Sequence, residues 1–166
     1  MTTTYHDLRT PIGTLRLVGD EDAIDRIELP NEAARAPEGS WEPANGALPA
    51  ALAEAKRQLG EYFDGKRREF DLPLGASGTE FQQRVWAELR RIPFGETISY
   101  RTLAERIGKP AASRAVGQAN GRNRLPIVVP CHRVISHDGK LGGYGGGLPT
   151  KQRLLDFERQ AAPDGP

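Results

Sequence analysis

The chain contains one cysteine, Cys131, and His132 and Arg133 follow it directly. Cationic neighbours lower the pKa of a thiol and favour the nucleophilic thiolate. A single cysteine is more often a small buried hydrophobic residue, and this alternative stays open from the neighbours alone. Adjacent side chains on a regular strand point to opposite faces, so Cys131 and His132 share a site only where the backbone breaks, which we expect at Pro130. A third group would orient the histidine, and Glu158 is one candidate that spacing alone does not single out.

Other motifs in the sequence do not predict a metal or cofactor site. The three histidines and the cysteine lack the paired ligand spacings of zinc sites, so we expect no metal. The glycine-rich run 142–147 lacks the Gly-Lys-Ser/Thr ending of a P-loop, and we interpret it as a flexible loop beside a site.

The length and composition bound the class of protein. With 166 residues and a net charge of +1, the chain fits one domain or two small ones. One cysteine excludes a disulfide framework and is compatible with a reducing compartment. No signal peptide is present at the N-terminus, and no apolar run approaches the roughly 20 residues of a membrane helix. We expect a cytoplasmic protein that does not contact a membrane.

The charges are distributed unevenly along the chain. Residues 1–75 contain 9 basic and 14 acidic residues, whereas residues 76–166 contain 14 basic and 8 acidic residues. No acidic residue lies between Glu105 and Asp138, and this acid-free stretch contains Arg106, Lys109, Arg114, Arg122, Arg124 and Arg133. Such a stretch indicates either an ordinary solvated face or a surface for a polyanion such as nucleic acid.

The first 75 residues predict a small α/β domain with a short antiparallel sheet and a helix. Alternating residues favour strands at Tyr5 to Leu8, Thr14 to Val18 and Ala23 to Leu29. Four prolines predict a loop over residues 30–49, and apolar residues at helical spacing follow from Leu48 to Phe63. Residues 72–78 are the expected linker.

Residues 76–160 predict a mostly helical second domain, and residues 161–166 a frayed tail. Thr79 to Gln82 fits a capping box. Ser99 is expected to cap a helix that stops at Gly108, and small residues from Ala111 to Ala119 form the next helical face, so the pair resembles a helix-turn-helix. We expect a buried strand over residues 125–129 and a last helix capped by Thr150. The fold class is therefore α+β.

Several ordered motifs from about Thr79 to Glu158 resemble the O6-alkylguanine-DNA alkyltransferases, in their short bacterial form. The active-site sequence of that family is matched by Pro130-Cys-His-Arg-Val134. The other matches are Phe81-Gln-Gln-Arg-Val-Trp86, Ile92-Pro-Phe-Gly-Glu-Thr97, Ser99-Tyr100, Arg114-Ala-Val-Gly117, Ala119-Asn120, Asn123 and Gly143-Tyr-Gly-Gly-Gly-Leu148. The resemblance implies an RNase H-like first domain. It also implies a methylated-DNA–protein-cysteine S-methyltransferase that acts once and without a cofactor on O6-alkylguanine, with O4-alkylthymine as a second candidate substrate.

The resemblance also implies a role for individual residues. Cys131 would accept the alkyl group, His132 would act as its base through a water, and Glu158 would orient the imidazole. Tyr100 would donate a proton to guanine N3, and Asn123 would brace the turn that leads to the cysteine. The substrate pocket would be formed by Val134, Tyr144, Gly145 and Gly146.

Double-stranded DNA is the partner that the resemblance implies, bound through the minor groove by a monomer without strong sequence preference. Arg114 would fill the base stack after the target nucleotide is extruded. Small residues would let the helix approach the groove, and basic residues would contact phosphates. These DNA-binding residues are Tyr100, Arg101, Ala112, Ser113, Ala115, Gly117 and Arg122.

Two other function classes are compatible with parts of the pattern. A helix-turn-helix binding module or lesion sensor would carry Cys131 as an incidental thiol. A Cys–His hydrolase would need an oxyanion hole, and an adjacent Cys-His pair is unusual for that class. Gain of mass at Cys131 from alkylated DNA separates the transferase from the module, and turnover of a generic ester would indicate the hydrolase.

Overall fold

The computed structural model describes residues 3–75 and 77–162. The chain divides into two compact units, Met1–Ala76 and Ser77–Pro166. None of the helices in the described ranges is long and apolar enough to cross a membrane. The expected frayed tail falls partly outside these ranges, since residues 163–166 are not described. Of the residues of that tail that are described, Ala161 ends the last helix and Ala162 is buried.

The first unit is built on a four-stranded sheet with the order β3-β2-β1-β4. Its strands are β1 (Thr4–Thr10), β2 (Gly13–Gly19), β3 (Ile24–Glu28) and β4 (Glu42–Pro43). The first three are antiparallel neighbours, as predicted, and β4 runs parallel to β1. Leu15 and Leu17 of β2 are fully buried, as are Leu52, Ala55 and Leu59 of helix α2 (Ala50–Phe63). These apolar residues form the core of the unit.

The opposite face of β2 buries a charge. Arg16 donates to Asp7 at 3.0 Å and to Glu28 at 3.3 Å, and also to the carbonyls of Ala33 and Arg35, each at 2.9 Å. These bonds fix the end of a short helix, α1 (Pro30–Ala33). The expectation of a loop throughout residues 30–49 is therefore wrong, because this stretch contributes α1 and the edge strand β4.

The segment expected as a linker is partly structural. Ile24 donates its backbone N–H to Pro73 O at 2.9 Å and accepts from Gly75 N at 2.9 Å, which makes a parallel bridge to Leu74. Residues 73–75 thus extend the edge of the sheet beside β3, and Leu72 is buried.

The second unit is mostly helical, as predicted. Its helices are α3 (Glu80–Leu89), α4 (Tyr100–Arg106), α5 (Ser113–Gly121) and α6 (Leu148–Ala161). Thr79 and Gln82 form the predicted capping box at α3, and Ser99 Oγ accepts from Thr102 N at the start of α4. Trp86 donates its indole N–H to Ala119 O at 2.9 Å and thereby fixes α3 against α5.

Two predictions for the second unit are wrong. Residues 125–129 are buried but form consecutive turns, and Ile127 has a φ of +75°. The strand lies further along, at β6 (Val134–Ile135), which pairs in parallel with β5 (Ile98–Ser99). Thr150 does not cap the last helix, because α6 begins two residues earlier, after Gly147, and Thr150 is buried in its first turn.

The capping box at Thr79 gives a test of this local structure. We expect Thr79→Ala to lower the free energy of unfolding by about 1 kcal/mol, because the α3 N-terminus loses its side-chain acceptor. Urea denaturation measures this change. Thr79→Ser is the control, since it keeps the hydroxyl. An equal loss in both variants would show that the methyl group, and not the hydrogen bond, is responsible.

Candidate active site

Cys131 lies in a short 3-10 helix, Cys131–Arg133, that follows the buried turns. Residues 125–129 form turns and not a strand, so the expected strand break at Pro130 does not arise; Cys131, His132 and Arg133 are all buried. A 3-10 helix places consecutive side chains about 120° apart, so these three residues reach different neighbours from one short segment.

The His132 side chain meets the last helix. Its Nε2 lies 2.8 Å from Glu158 Oε2, and both side chains are almost completely buried. Glu158 also accepts from Arg133 through Oε1 (2.8 Å) and Oε2 (2.9 Å), and from Gly95 N at 3.2 Å. Arg133 in turn donates to Ile92 O at 2.7 Å. One carboxylate thus connects α6, the 3-10 helix and the loop before β5.

The electrostatics of this cluster favour a charged carboxylate and a neutral imidazole. Burial raises the pKa of Glu158, but His132 and Arg133 outweigh it, and the pKa lies well below its ordinary value. Burial lowers the pKa of His132, although Glu158 acts in the opposite direction. An ionised carboxylate only accepts hydrogen bonds, so Nε2 carries the proton. His132 Nδ1 then holds a free lone pair, and it has no hydrogen-bond partner among the described residues.

The thiol of Cys131 has a different environment from the expected one. Its pKa is raised by burial, and hydrogen bonding from Asn123 and Tyr144 and the charge of Lys151 offset this only in part. The expectation that the adjacent His132 and Arg133 lower the thiol pKa is wrong, because both side chains are directed to Glu158. Sγ lies 3.9 Å from the Tyr144 hydroxyl.

Two asparagines hold the backbone around the thiol. Asn123 donates to Val129 O at 2.7 Å and accepts from Leu125 N at 3.0 Å, which closes the buried turns. Asn120, in α5, donates to Cys131 O at 3.3 Å. Sequence reasoning proposed Asn123 for this position and did not give Asn120 a role.

Tyr100 is the first residue of α4, and two glycines surround its ring. A Cβ at Gly142 would lie 3.1 Å from the Tyr100 ring and from Ser136 Oγ, and the φ of +72° at Gly142 also disfavours other residues. A Cβ at Gly117, in α5, would lie 3.8 Å from the ring, which is an ordinary contact. Burial, and then the charge of Cys131, raise the pKa of Tyr100.

Lys151 is a residue that sequence reasoning missed. Its side chain is fully buried in α6, and Nζ lies 5.9 Å from the ring centre of Tyr100 and 5.8 Å from that of Tyr144. The helical period of the sequence could have indicated its burial. Leu154, Leu155 and Glu158 lie on the buried face of α6, and the same period places residue 151 on that face.

The other proposed pocket residues lie along the segment that follows the cysteine. Val134 is fully buried in β6, and Tyr144 and Gly146 lie in the glycine-rich loop. A Cβ at Gly145 would meet open space, so that position does not need a glycine for packing.

The outer face of the α4–α5 pair carries the proposed DNA-binding residues. Arg114 and Ala115 are exposed on α5, and Ala112 and Ser113 at its start are half-buried. Arg101 and Arg122 are exposed on either side of them. Five of the six basic residues in the acid-free stretch are exposed, whereas Arg133 is buried against Glu158 and cannot belong to a surface for a polyanion.

The matches to known proteins together cover nearly the whole chain. Residues 80–160 match the family described as 6-O-methylguanine DNA methyltransferase, DNA binding domain, and residues 3–76 match its ribonuclease-like domain. The methylated-DNA–protein-cysteine methyltransferase of Mycolicibacterium paratuberculosis is 48% identical over 96% of this chain and 94% of its own length. The constitutive methylated-DNA–protein-cysteine methyltransferase of Bacillus subtilis is 47% identical over 93% of this chain and 94% of its own length.

Solved structures show the same likeness. The crystal structure of Mycobacterium tuberculosis O6-methylguanine methyltransferase has a TM-score of 0.84 and 45% identity, covering 97% of this chain and 95% of the other. A second crystal structure, of Mycobacterium tuberculosis OGT in complex with DNA, has a TM-score of 0.83 and 44% identity, and the match covers 95% of this chain and 94% of the other.

The buried carboxylate gives a prediction about pH and stability. We expect Glu158→Gln to lower the free energy of unfolding at pH 7 by about 3–5 kcal/mol, because Arg133 keeps a buried charge without its partner. Since the pKa of Glu158 is depressed, its contribution is present above the unfolded pKa of about 4.3 and is lost as the pH falls below it. The variant should therefore lose less stability than the unmodified protein on acidification.

Chemical denaturation between pH 7 and pH 3 measures both effects. Glu105→Gln, which changes an exposed glutamate of the same unit, is the matched control and should alter stability by less than about 1 kcal/mol. A similar small loss for Glu158→Gln would contradict the structural importance of the cluster.

Proposed function

The chain belongs to the O6-alkylguanine-DNA alkyltransferase family, and from that membership we propose that it transfers the alkyl group of O6-alkylguanine in DNA to Cys131. It is a methylated-DNA–protein-cysteine methyltransferase that acts in DNA repair. The observation that carries the assignment of the site is the buried thiol beside His132, whose imidazole has one nitrogen held by Glu158 and the other free.

The proposed reaction is a displacement at the alkyl carbon. The thiol proton passes through a water to Nδ1 of His132, and a sulfur lone pair forms the new S–C bond as the O6–C bond breaks. The electrons of that bond go to the guanine oxygen. Tyr100 donates its hydroxyl proton to guanine N3 and so removes the charge from the leaving base; His132 returns a proton to Tyr100 through solvent. The bonds and protons of the reaction balance without a cofactor.

The protonation states in the cluster support this sequence. A thiol with a raised pKa is mostly neutral at pH 7, so it needs a base at the moment of reaction. Neutral His132 is such a base, and Glu158 stabilises the imidazolium that forms. Tyr100 has a raised pKa and therefore holds its proton until a stronger acceptor arrives.

DNA binding is assigned to the exposed face of α4 and α5. A buried thiol cannot reach a base inside a duplex, so the lesion must be flipped out, at a cost of a few kcal/mol. Exposed Arg114 would fill the vacated stack in the minor groove, and exposed Arg101 and Arg122 would contact phosphates without selecting a sequence. The proposal includes a monomer acting in the cytoplasm, on O6-alkylguanine and also on O4-alkylthymine.

Two features disfavour the alternative functions. A Cys–His hydrolase normally takes its base from a residue distant from the nucleophile in sequence, whereas His132 directly follows Cys131. Alkyl transfer instead gives a thioether on an unactivated alkyl carbon, which does not hydrolyse. A lesion sensor with an incidental thiol would not need a buried base poised by a carboxylate. Each protein molecule is therefore expected to act once.

Intact-mass analysis tests the reaction. With excess O6-methylguanine duplex, we expect the mass to rise by one methyl group per protein, mapped to Cys131, and then to stop. Cys131→Ser should gain no methyl group and should still bind the duplex, because the proposed phosphate contacts lie on α4 and α5. More than one methyl group removed per protein, or methylation of the Cys131→Ser variant, would overturn single-use transfer to Cys131.

The role of Arg114 is tested by comparing two substrates at saturating protein. Arg114→Ala should slow transfer from duplex DNA by about 10-fold or more and leave transfer from the free base O6-benzylguanine nearly unchanged, because a free base needs no extrusion. Arg101→Ala is the matched control: it removes a neighbouring exposed charge and should weaken binding without slowing the saturated rate. Equal losses on both substrates would count against stack filling by Arg114.

A further inference from the structure

The hydroxyl of Tyr144 is in direct contact with the Cys131 sulfur. The thiol donates to Tyr144 Oη, and Sγ lies 3.9 Å from that oxygen. A thiol is a weak donor and a weak acceptor, whereas a tyrosine hydroxyl both donates and accepts. Because the thiol carries one proton, this contact directs that proton towards Tyr144 in the resting protein.

The position of Tyr144 is fixed by its neighbours, although glycines flank it on both sides in the run 142–147. Lys151 Nζ lies 5.8 Å from the centre of the Tyr144 ring and donates to the carbonyl of the preceding residue, Gly143, at 3.3 Å. Tyr144 O accepts from Gly147 N at 3.0 Å, which closes the turn after the ring. The hydroxyl is therefore held at the sulfur by contacts on both sides of Tyr144.

We propose that Tyr144 is a catalytic residue of the alkyl transfer, whose hydroxyl accepts from the Cys131 thiol in the resting protein and donates to the sulfur as the thiol loses its proton. This inference rests on the proposed function. Tyr144 keeps its own proton throughout, because the thiol proton still passes through a water to His132. Only the direction of the hydrogen bond between Cys131 and Tyr144 reverses.

The reversal favours the charged sulfur. Hydrogen bonds to an ionised partner are stronger than those between neutral groups, so the Tyr144 hydroxyl stabilises the thiolate more than it stabilises the thiol. The pKa of Cys131 is consistent with this direction. Burial raises that pKa, and hydrogen bonding from Asn123 and Tyr144 and the charge of Lys151 act against the increase.

The remaining titratable groups around the thiol have other tasks under the proposed chemistry. The Tyr100 hydroxyl, at the start of α4, interacts with the charge of Cys131 and is assigned to the guanine base. His132 and Arg133, on the 3-10 helix of Cys131, are directed to Glu158. Tyr144 is thus the tyrosine whose hydroxyl contacts the sulfur itself.

Infrared spectroscopy of the S–H stretch tests the contact without any reaction. Cys131 is the single cysteine of the chain, so the protein gives one S–H band. Tyr144→Phe keeps the ring and removes the hydroxyl, and we expect the band to move to higher frequency because the thiol loses its acceptor. Tyr5→Phe, which removes a hydroxyl from the first unit, is the matched control and should leave the band in place. An unchanged band in Tyr144→Phe would overturn the contact.

The unmodified protein gives a measurement that does not depend on the folding of a variant. Its S–H band should lie at lower frequency than that of ethanethiol in an apolar solvent, where the thiol has no acceptor. Coincidence of the two frequencies would show that Cys131 donates no hydrogen bond and would contradict the proposal.

Two electrophiles test the effect on reactivity. At pH 7 we expect Tyr144→Phe to react with saturating O6-benzylguanine about 10-fold more slowly, which corresponds to a thiol pKa about one unit higher. Iodoacetamide, which forms its S–C bond as iodide leaves, should alkylate Cys131 more slowly by a similar factor. A loss confined to O6-benzylguanine would indicate a contact with the base and overturn the role at the sulfur. Phenylalanine is smaller than tyrosine, so reduced access cannot explain slower alkylation.

The control variant Tyr5→Phe should react with both electrophiles at the rate of the unmodified protein. Unchanged rates for Tyr144→Phe would overturn the stabilisation of the thiolate. If the unmodified protein gains no benzyl group, it is the proposed function that fails, and the infrared and iodoacetamide results still decide whether Tyr144 acts on the sulfur.

Discussion

The carboxylate of Glu158 is the group on which the arrangement of the second unit depends. It accepts from His132, Arg133 and the Gly95 backbone, and so joins α6 to the 3-10 helix and to the loop before β5. Charges in such a buried cluster contribute little net stability compared with apolar residues, but removing one partner leaves the others unpaired. The cluster therefore acts as an all-or-none constraint that sets the orientation of the His132 imidazole.

The two buried cations of this unit, Arg133 and Lys151, have different partners. Arg133 is neutralised by Glu158, whereas the Lys151 ammonium donates to the carbonyls of Val134 and Leu141. His132 stays neutral because burial opposes its protonation. The site thus combines a neutral imidazole with a fixed carboxylate behind it. Under the proposed chemistry, the imidazole would accept the thiol proton and the carboxylate would stabilise the imidazolium that forms.

Local signals in the sequence predicted most of the fold. The capping box at Thr79 and the glycine stop at Gly108 each encode a helix end in a few neighbouring residues, and both occur as predicted. The run 125–129 was predicted wrongly because a short apolar run fits a buried strand and a buried turn equally well, and only long-range bonds such as Asn123 to Val129 select the turn. Arg133 and Lys151 look like surface residues by type, and their burial depends on partners distant in the sequence.

The raised pKa of Cys131 suits a protein that, under the proposed chemistry, reacts once. A permanently ionised thiol would react with any small electrophile that reached it, and each such event would remove one protein molecule from repair. Here the thiol is buried and its pKa is raised, and the proposed base, His132, is already held by Glu158. Binding of a flipped base would exclude water from the pocket and strengthen every charge interaction in it. Reactivity would then be highest when the correct substrate is bound, which protects the single nucleophile without a separate gating element.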